Sequence, residues 1–285
     1  MKTKTRALFQ IHLAVLFFGF PGVIGKILPL SPLELSWFRV LLASVGLLLI
    51  LVIEKTKPLV PGTRPKILLF ISGILLAFHW TAFFLSVQLS TVAVGLLSYS
   101  TFPIFTVFLE PWLLGVKFKK SYLAFALVCF LGVGLMVPEF SPANRIFLGI
   151  IWGTLAGLSF AFLTIINRKL SPAHPGPVLA FYQDLLAAIF LLPLVFSRPV
   201  GWSFSFDQIL WLLFLGLVCT AGAHTLFISG LKFLEARLSS LISTLEPVYG
   251  TVLGYVFLHE IPAARTILGG LLILGSVLML SSRRD

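Results

Sequence analysis

The chain has 285 residues, of which 58% are hydrophobic and 11% charged, and its mean hydropathy is +1.05. A soluble globular protein carries about 25% charged residues, so this composition excludes an ordinary water-soluble domain and makes lipid the natural solvent. The net charge of +11 does not signal nucleic acid, because the Lys and Arg residues sit in short connections between apolar runs, not in a stripe interleaved with stacking aromatics.

A membrane-spanning helix takes about 20 mostly apolar residues. Read with breaks at Pro, Gly and charge, the sequence predicts an all-α integral membrane fold of ten such helices. They cover residues 8–29, 33–54, 66–88, 91–114, 121–138, 145–168, 177–196, 206–231, 237–258 and 263–281. The first run is long enough to span and many follow, so no cleavable leader is expected. With the N-terminus inside, the inner connections hold 16 Lys and Arg, among them Lys117, Lys119, Lys232, Arg237, Arg283 and Arg284. The outer ones hold 4, Lys26, Arg145, Arg198 and Arg265, and Arg39 falls within a span. This positive-inside bias predicts that both termini are cytoplasmic.

The chain also resembles itself. Trp37 to Ala43 resembles Phe181 to Ala187 at a shift of 144, and the same shift carries Pro103 onto Pro247. Met136-Val137 matches Met279-Leu280 at 143, and Gly25 to Leu28 resembles Asn167 to Leu170 at 142. Residues 1–142 and 143–285 therefore read as two copies of one unit of five spans. An odd number of spans inverts the second copy in the membrane, an arrangement that transporters use for alternating access.

Taken in order, helix 1 carries Gly19, Pro21, Gly22 and Gly25, a place to bend. Helix 2 carries Arg39, which needs a carboxylate or carbonyl partner at that depth, with Glu246 and Glu260 left open as choices. Helix 3 carries His79 and Trp80. Helix 4 presents Gly95, Tyr99, Phe102 and Thr106 on one face, with Pro103 as a kink and Glu110 near its inner end, expected to pair with Lys117 and Lys119. Helix 6 carries Gly149, Gly153 and Gly157, a spacing that lets helices approach closely in lipid. Helix 7 carries Tyr182, Gln183 and Asp184, and helix 8 carries His224. Helix 9 aligns Ser239, Ser243, Glu246 and Gly250 on one face, followed by Pro247 and Tyr249. Interrupted helices at matching places in two halves are the best sequence pointer to a transporter's central site. A mid-membrane histidine is more often a neutral core residue bonded to a neighbour than a proton relay. Cys129 and Cys219 lie in apolar runs and form neither a disulfide framework nor a zinc site.

Leu245-Glu246-Pro247-Val248-Tyr249-Gly250, then Leu258-His259-Glu260, then Leu268 through Gly275 resemble the second-repeat pattern of EamA-type transporters of the drug/metabolite transporter superfamily. The family usually has Gly where this chain has His259. The resemblance implies a central cavity inside helices 1–4 and 6–9, with helices 5 and 10 peripheral, and export of small metabolites, often amino acids or related compounds, across a bacterial plasma membrane. The expected substrate-binding residues are His79, Trp80, Tyr99, Phe102, Tyr182, Gln183, His224, Glu246 and Tyr249, with Pro103 and Pro247 as helix breaks lining the site. No metal, cofactor or nucleic acid is expected, only a small-molecule substrate and membrane lipid, with homodimerisation left open. No Walker-type loop is present, so ATP is not the direct driver. A membrane-embedded enzyme or a structural or sensory membrane subunit is the alternative. An enzyme needs clustered His, Asp or Cys at one depth, and the polar residues here are dispersed.

Overall fold

The computed structural model describes residues 2–115, 118, 120, 122–197, 199, 201–231, 233, 242–243 and 245–282. Ser239, Arg198 and the charged residues Lys117, Lys119, Lys232, Arg237, Arg283 and Arg284 lie outside the described residues. All regular structure among the described residues is helical. Helices α1 (Lys2–Phe18) and α2 (Phe20–Ile27) form one bent span, followed by α3 (Pro32–Ile53) and α4 (Thr63–Leu89). Helices α5 (Val92–Tyr99) and α6 (Phe102–Leu114) form a second interrupted span, and α7 (Tyr122–Met136), α8 (Arg145–Leu170) and α9 (Gly176–Val195) follow. A third composite span runs through α10 (Phe206–Leu213), a π-helical segment (Phe214–Gly222) and α11 (Ala223–Leu231). Helices α12 (Glu246–Leu258) and α13 (Ala264–Ser282) complete the set.

The starts obey local chemistry. Ser31 and Glu34 close a capping box around Pro32, and Ser205 and Gln208 do the same for α10. Asn144 accepts from the Ile146 and Phe147 amides, and Thr91 from Val94. Helices α6 and α12 both end on a left-handed residue, Gly115 at φ 72° and His259 at φ 55°.

Seven of these spans are long and apolar enough to cross a bilayer. The stretches expected at 121–138 and 237–258 appear as shorter helices among the described residues, and that at 263–281 as the 19-residue α13. Helix α7 has 15 residues and α12 has 13. A 15-residue helix covers about 22 Å, short of a hydrocarbon layer of about 30 Å.

The chain is inside out by aqueous standards. Ile53, Trp112 and Ile261 are about four-fifths exposed, while Arg39 and Asp184 are fully buried. With no hydrophobic drive between helices in lipid, close packing and internal hydrogen bonds must hold the bundle. Helix α4 packs on α8 and α9, α3 on α9 and the π segment, α1 on α11, α5 and α6 on α8, α12 on α5 and α2, and α7 on α13. The glycine row of α8 sets one of these contacts. A Cβ on Gly153 would fall 2.6 Å from Ser98 Cβ, and one on Gly157 2.7 Å from the Tyr99 carbonyl oxygen. Helix α8 therefore lies directly against the interruption between α5 and α6.

Candidate functional site

The interruption begins with Pro103, which lacks an N–H and occupies the first turn of α6. Helix α5 stops at Tyr99, and Thr101 Oγ1 donates to the Ser98 carbonyl at 2.8 Å across the gap. Tyr99 and Phe102 flank the break and stack with centroids 5.4 Å apart. Pro247 occupies the matching first turn of α12, directly after the buried Glu246.

Helix α4 brings His79 and Trp80 to the same level. The His79 ring lies 4.4 Å from Trp80, 5.5 Å from Tyr99 and 5.1 Å from Phe160. His79 Nδ1 is 3.0 Å from the Ala156 carbonyl oxygen, so that nitrogen carries the proton and donates. Trp80 lies 6.0 Å from His224 of α11, which also meets Phe18 of α1 at 5.8 Å.

Arg39 of α3 sits at the centre. Its guanidinium carbon lies 3.2 Å from the Trp80 ring centroid, a cation–π contact. Its Nη2 donates to the Cys219 carbonyl at 3.1 Å. That carbonyl belongs to the π-helical segment, where Thr220 Oγ1 bonds the Leu215 carbonyl five residues back. The widened ladder lets a carbonyl turn toward a neighbouring helix, and such segments are frequent at functional sites. Asp184, Glu246 and Tyr99 act on Arg39 electrostatically. Among the described residues, no carboxylate lies within 4.0 Å of its nitrogens. Arg39 Nε and Nη1, both Asp184 oxygens, Trp80 Nε1 and His224 Nδ1 are buried without a hydrogen-bond partner. Buried polar atoms are normally paired, so this concentration in one neighbourhood is unusual.

The structure thus gathers His79, Trp80, Tyr99, Phe102, His224 and Glu246 around Arg39. Tyr249 is partly buried beside Gly19, where an added Cβ would fall 3.1 Å from Tyr249 Cβ. Tyr182 and Gln183 stand elsewhere in the bonding pattern. Tyr182 donates to the Pro58 carbonyl at 2.6 Å in the connection between α3 and α4, and Gln183 Nε2 donates to Asn167 Oδ1 at 2.6 Å. Arg39 and the adjacent Asp184 were the less obvious members. Their signal in sequence was a charge within an apolar run, with no indication of which helices they would meet. Among the described residues, no group of three or more His, Cys, Asp or Glu is arranged to hold a metal ion.

The remaining charges close the ends of the bundle. Lys26 Nζ lies 3.3 Å from Glu260 and donates to the Ser90 carbonyl at 2.6 Å. Glu260 accepts from the Val92 amide at 2.8 Å, so it serves Lys26 and α5, and is not the partner of Arg39. Glu110 pairs with Arg168 of α8; Lys117 and Lys119, its expected partners, lie outside the described residues.

These features describe a multi-pass integral membrane protein with a polar, aromatic centre. The chain belongs to the EamA-like transporter family, whose model matches residues 5–137 and again 147–282. It is similar to the uncharacterized transporter YwfM of Bacillus subtilis (strain 168), 26% identical over 99% of this chain and 95% of that one. It is 25% identical to the S-adenosylmethionine uptake transporter of Rickettsia prowazekii, over 98% of this chain and 94% of that one. It is 23% identical to the pseudopaline exporter CntI of Pseudomonas aeruginosa, over 87% and 85% respectively. A solved crystal structure with 18% identity superposes with a TM-score of 0.71, covering 99% of this chain and all of the other, which shows a shared fold. The family and the names of these relatives are those of drug/metabolite-type transporters, not enzymes. In bacteria such a protein resides in the inner membrane.

Proposed function

We propose that the protein is a secondary transporter that exports a small metabolite, an amino acid or related compound, by alternating access about the Arg39 cluster. The reading has ten spans in two inverted halves, residues 1–142 and 143–285, with both termini cytoplasmic. Packing supports it. A shift of 144 carries Pro103 onto Pro247 and Gly115 onto His259, two helix starts and two left-handed helix ends. The contact of α4 with α8 has its counterpart in that of α11 with α1, and α3–α9 and α7–α13 are contacts between equivalent helices.

The observation that carries the reading is the buried meeting of Arg39 and Trp80 from one half with Asp184, Cys219, His224 and Glu246 from the other. A charged, unsatisfied centre at the junction of two halves costs stability, and solute passage is the function that accounts for it. The proposed substrate-contacting residues are His79, Trp80, Tyr99, Phe102, His224 and Glu246, with Tyr249 at the margin. Tyr182 and Gln183 are assigned to anchoring the first half of α9, to the α3–α4 connection and to α8.

The test is a metabolite profile of medium from cells overexpressing the chain, compared with cells carrying Glu246→Gln at matched membrane abundance. One metabolite class accumulating outside only with the unaltered chain supports export. Profiles equal to an empty control for both overturn it and direct the assay to uptake.

A further inference from the structure

Resting on the transporter reading, we propose that Arg39 is a receptor for a carboxylate group on the transported solute. A guanidinium carries five N–H donors. One nitrogen, Nη2, is bonded to the Cys219 carbonyl, and Nε and Nη1 have no partner although the residue is fully buried. Neither Asp184 nor Glu246 approaches within 4.0 Å, so the positive charge is not consumed by an internal ion pair. An arginine needed only for structure would be expected to pair with one of these carboxylates, because a buried unpaired charge is strongly unfavourable.

The surroundings narrow the class of solute. Trp80 lies 3.2 Å from the guanidinium carbon, a contact through the ring face that uses none of the N–H donors and leaves Nε and Nη1 for an acceptor. Such a fork matches the flat geometry of a carboxylate. Tyr99, which acts on Arg39 electrostatically, stacks on Phe102 at 5.4 Å, and Phe160 lies 5.0 Å from Phe102, so planar apolar rings adjoin the guanidinium's neighbourhood. A carboxylate attached to a flat apolar body satisfies both halves of this environment.

Binding is measured on the purified full chain in detergent by quenching of intrinsic tryptophan fluorescence, with phenylacetate, its neutral isostere phenylacetamide, and zwitterionic phenylalanine as probes. Flux of the same probes is followed in sealed proteoliposomes. The expected result is that phenylacetate or phenylalanine binds at least about tenfold more tightly than phenylacetamide, the ratio for hydrogen bonds to a charged group. Arg39→Gln removes that preference and Arg39→Lys retains part of it. Because Arg39→Gln strands Asp184 in the core, the double variant Arg39→Gln, Asp184→Asn restores the charge balance and must show the same loss. Equal binding of acid and amide, no binding of either acid, or an acid preference that survives in the double variant overturns the proposal. Flux that persists with equal acid and amide affinities overturns the carboxylate receptor alone. Absence of flux with the acid preference intact overturns the transport reading and leaves the receptor standing.

Discussion

Lys26 and Glu260, separated by 234 positions in sequence, meet at 3.3 Å and tie the end of α2 to the residues just beyond α12. Each partner also binds the α4–α5 junction, Lys26 through the Ser90 carbonyl and Glu260 through the Val92 amide. A partly buried pair with two auxiliary hydrogen bonds is worth more than an exposed one, about 1 kcal/mol or somewhat above. Lys26→Met and Glu260→Gln are each expected to lower the melting temperature in detergent. A double-mutant cycle is expected to give a coupling energy of about 1 kcal/mol. A coupling indistinguishable from zero would show that the two side chains are neighbours without energetic consequence.

The helix end beside this pair is strained by its residue type. His259 holds φ 55°, where its Cβ crowds the following carbonyl, and its counterpart at the end of α6 is Gly115 at φ 72°. His259→Gly is expected to raise stability by about 1 kcal/mol and Gly115→Ala to lower it by a similar amount. Thermal unfolding of the two variants, side by side, gives the signs. A destabilised His259→Gly would mean that the imidazole makes an offsetting contact.

The glycine row of α8 predicts a sharp contrast. At Gly157 an added Cβ would sit 2.7 Å from a backbone carbonyl, which cannot yield as a side chain does, whereas nothing lies within 4 Å of the site on Gly134. Gly157→Ala should cost about 1–3 kcal/mol by overpacking and reduce flux, while Gly134→Ala should leave folded yield and flux unchanged. Comparable behaviour of the two would remove the close approach of α8 to the α5–α6 break from the account.

Tyr182 offers a test that separates anchoring from solute contact. Its hydroxyl donates to Pro58 at 2.6 Å, and Tyr182→Phe is expected to lose about 1 kcal/mol of stability with no change in apparent affinity for the solute. A shift in half-saturation at unchanged stability would return Tyr182 to the solute path.

Much of this architecture was legible in the sequence because lipid imposes a length and a composition on each span. The two prolines were legible as breaks because a missing N–H acts locally, and the α8 glycines because their spacing is helical. Arg39 was visible as an anomaly, but its contacts were not. Which carbonyl it meets depends on a π-helical turn at Phe214–Gly222, whose residues read as ordinary apolar helix. Glu110 and Glu260 were visible as charges at helix ends, and their partners, Arg168 and Lys26, depend on which helices pack, a tertiary fact with no local signal. Tyr182 and Gln183 adjoin the buried Asp184 in sequence, and rotation of about 100° per residue around α9 was enough to give them different neighbours.

The brevity of α7 has a consequence outside the protein. With 15 residues it reaches about 22 Å, and its packing partner α13 lies beside it, against α5. Acyl chains alongside α7 must compress or tilt to meet its ends, at a fraction of a kcal/mol for each ångström of mismatch. A bilayer of ordinary thickness would have to thin on that flank of the molecule, and the thickness of the surrounding lipid would then be one of the forces that the fold has to balance.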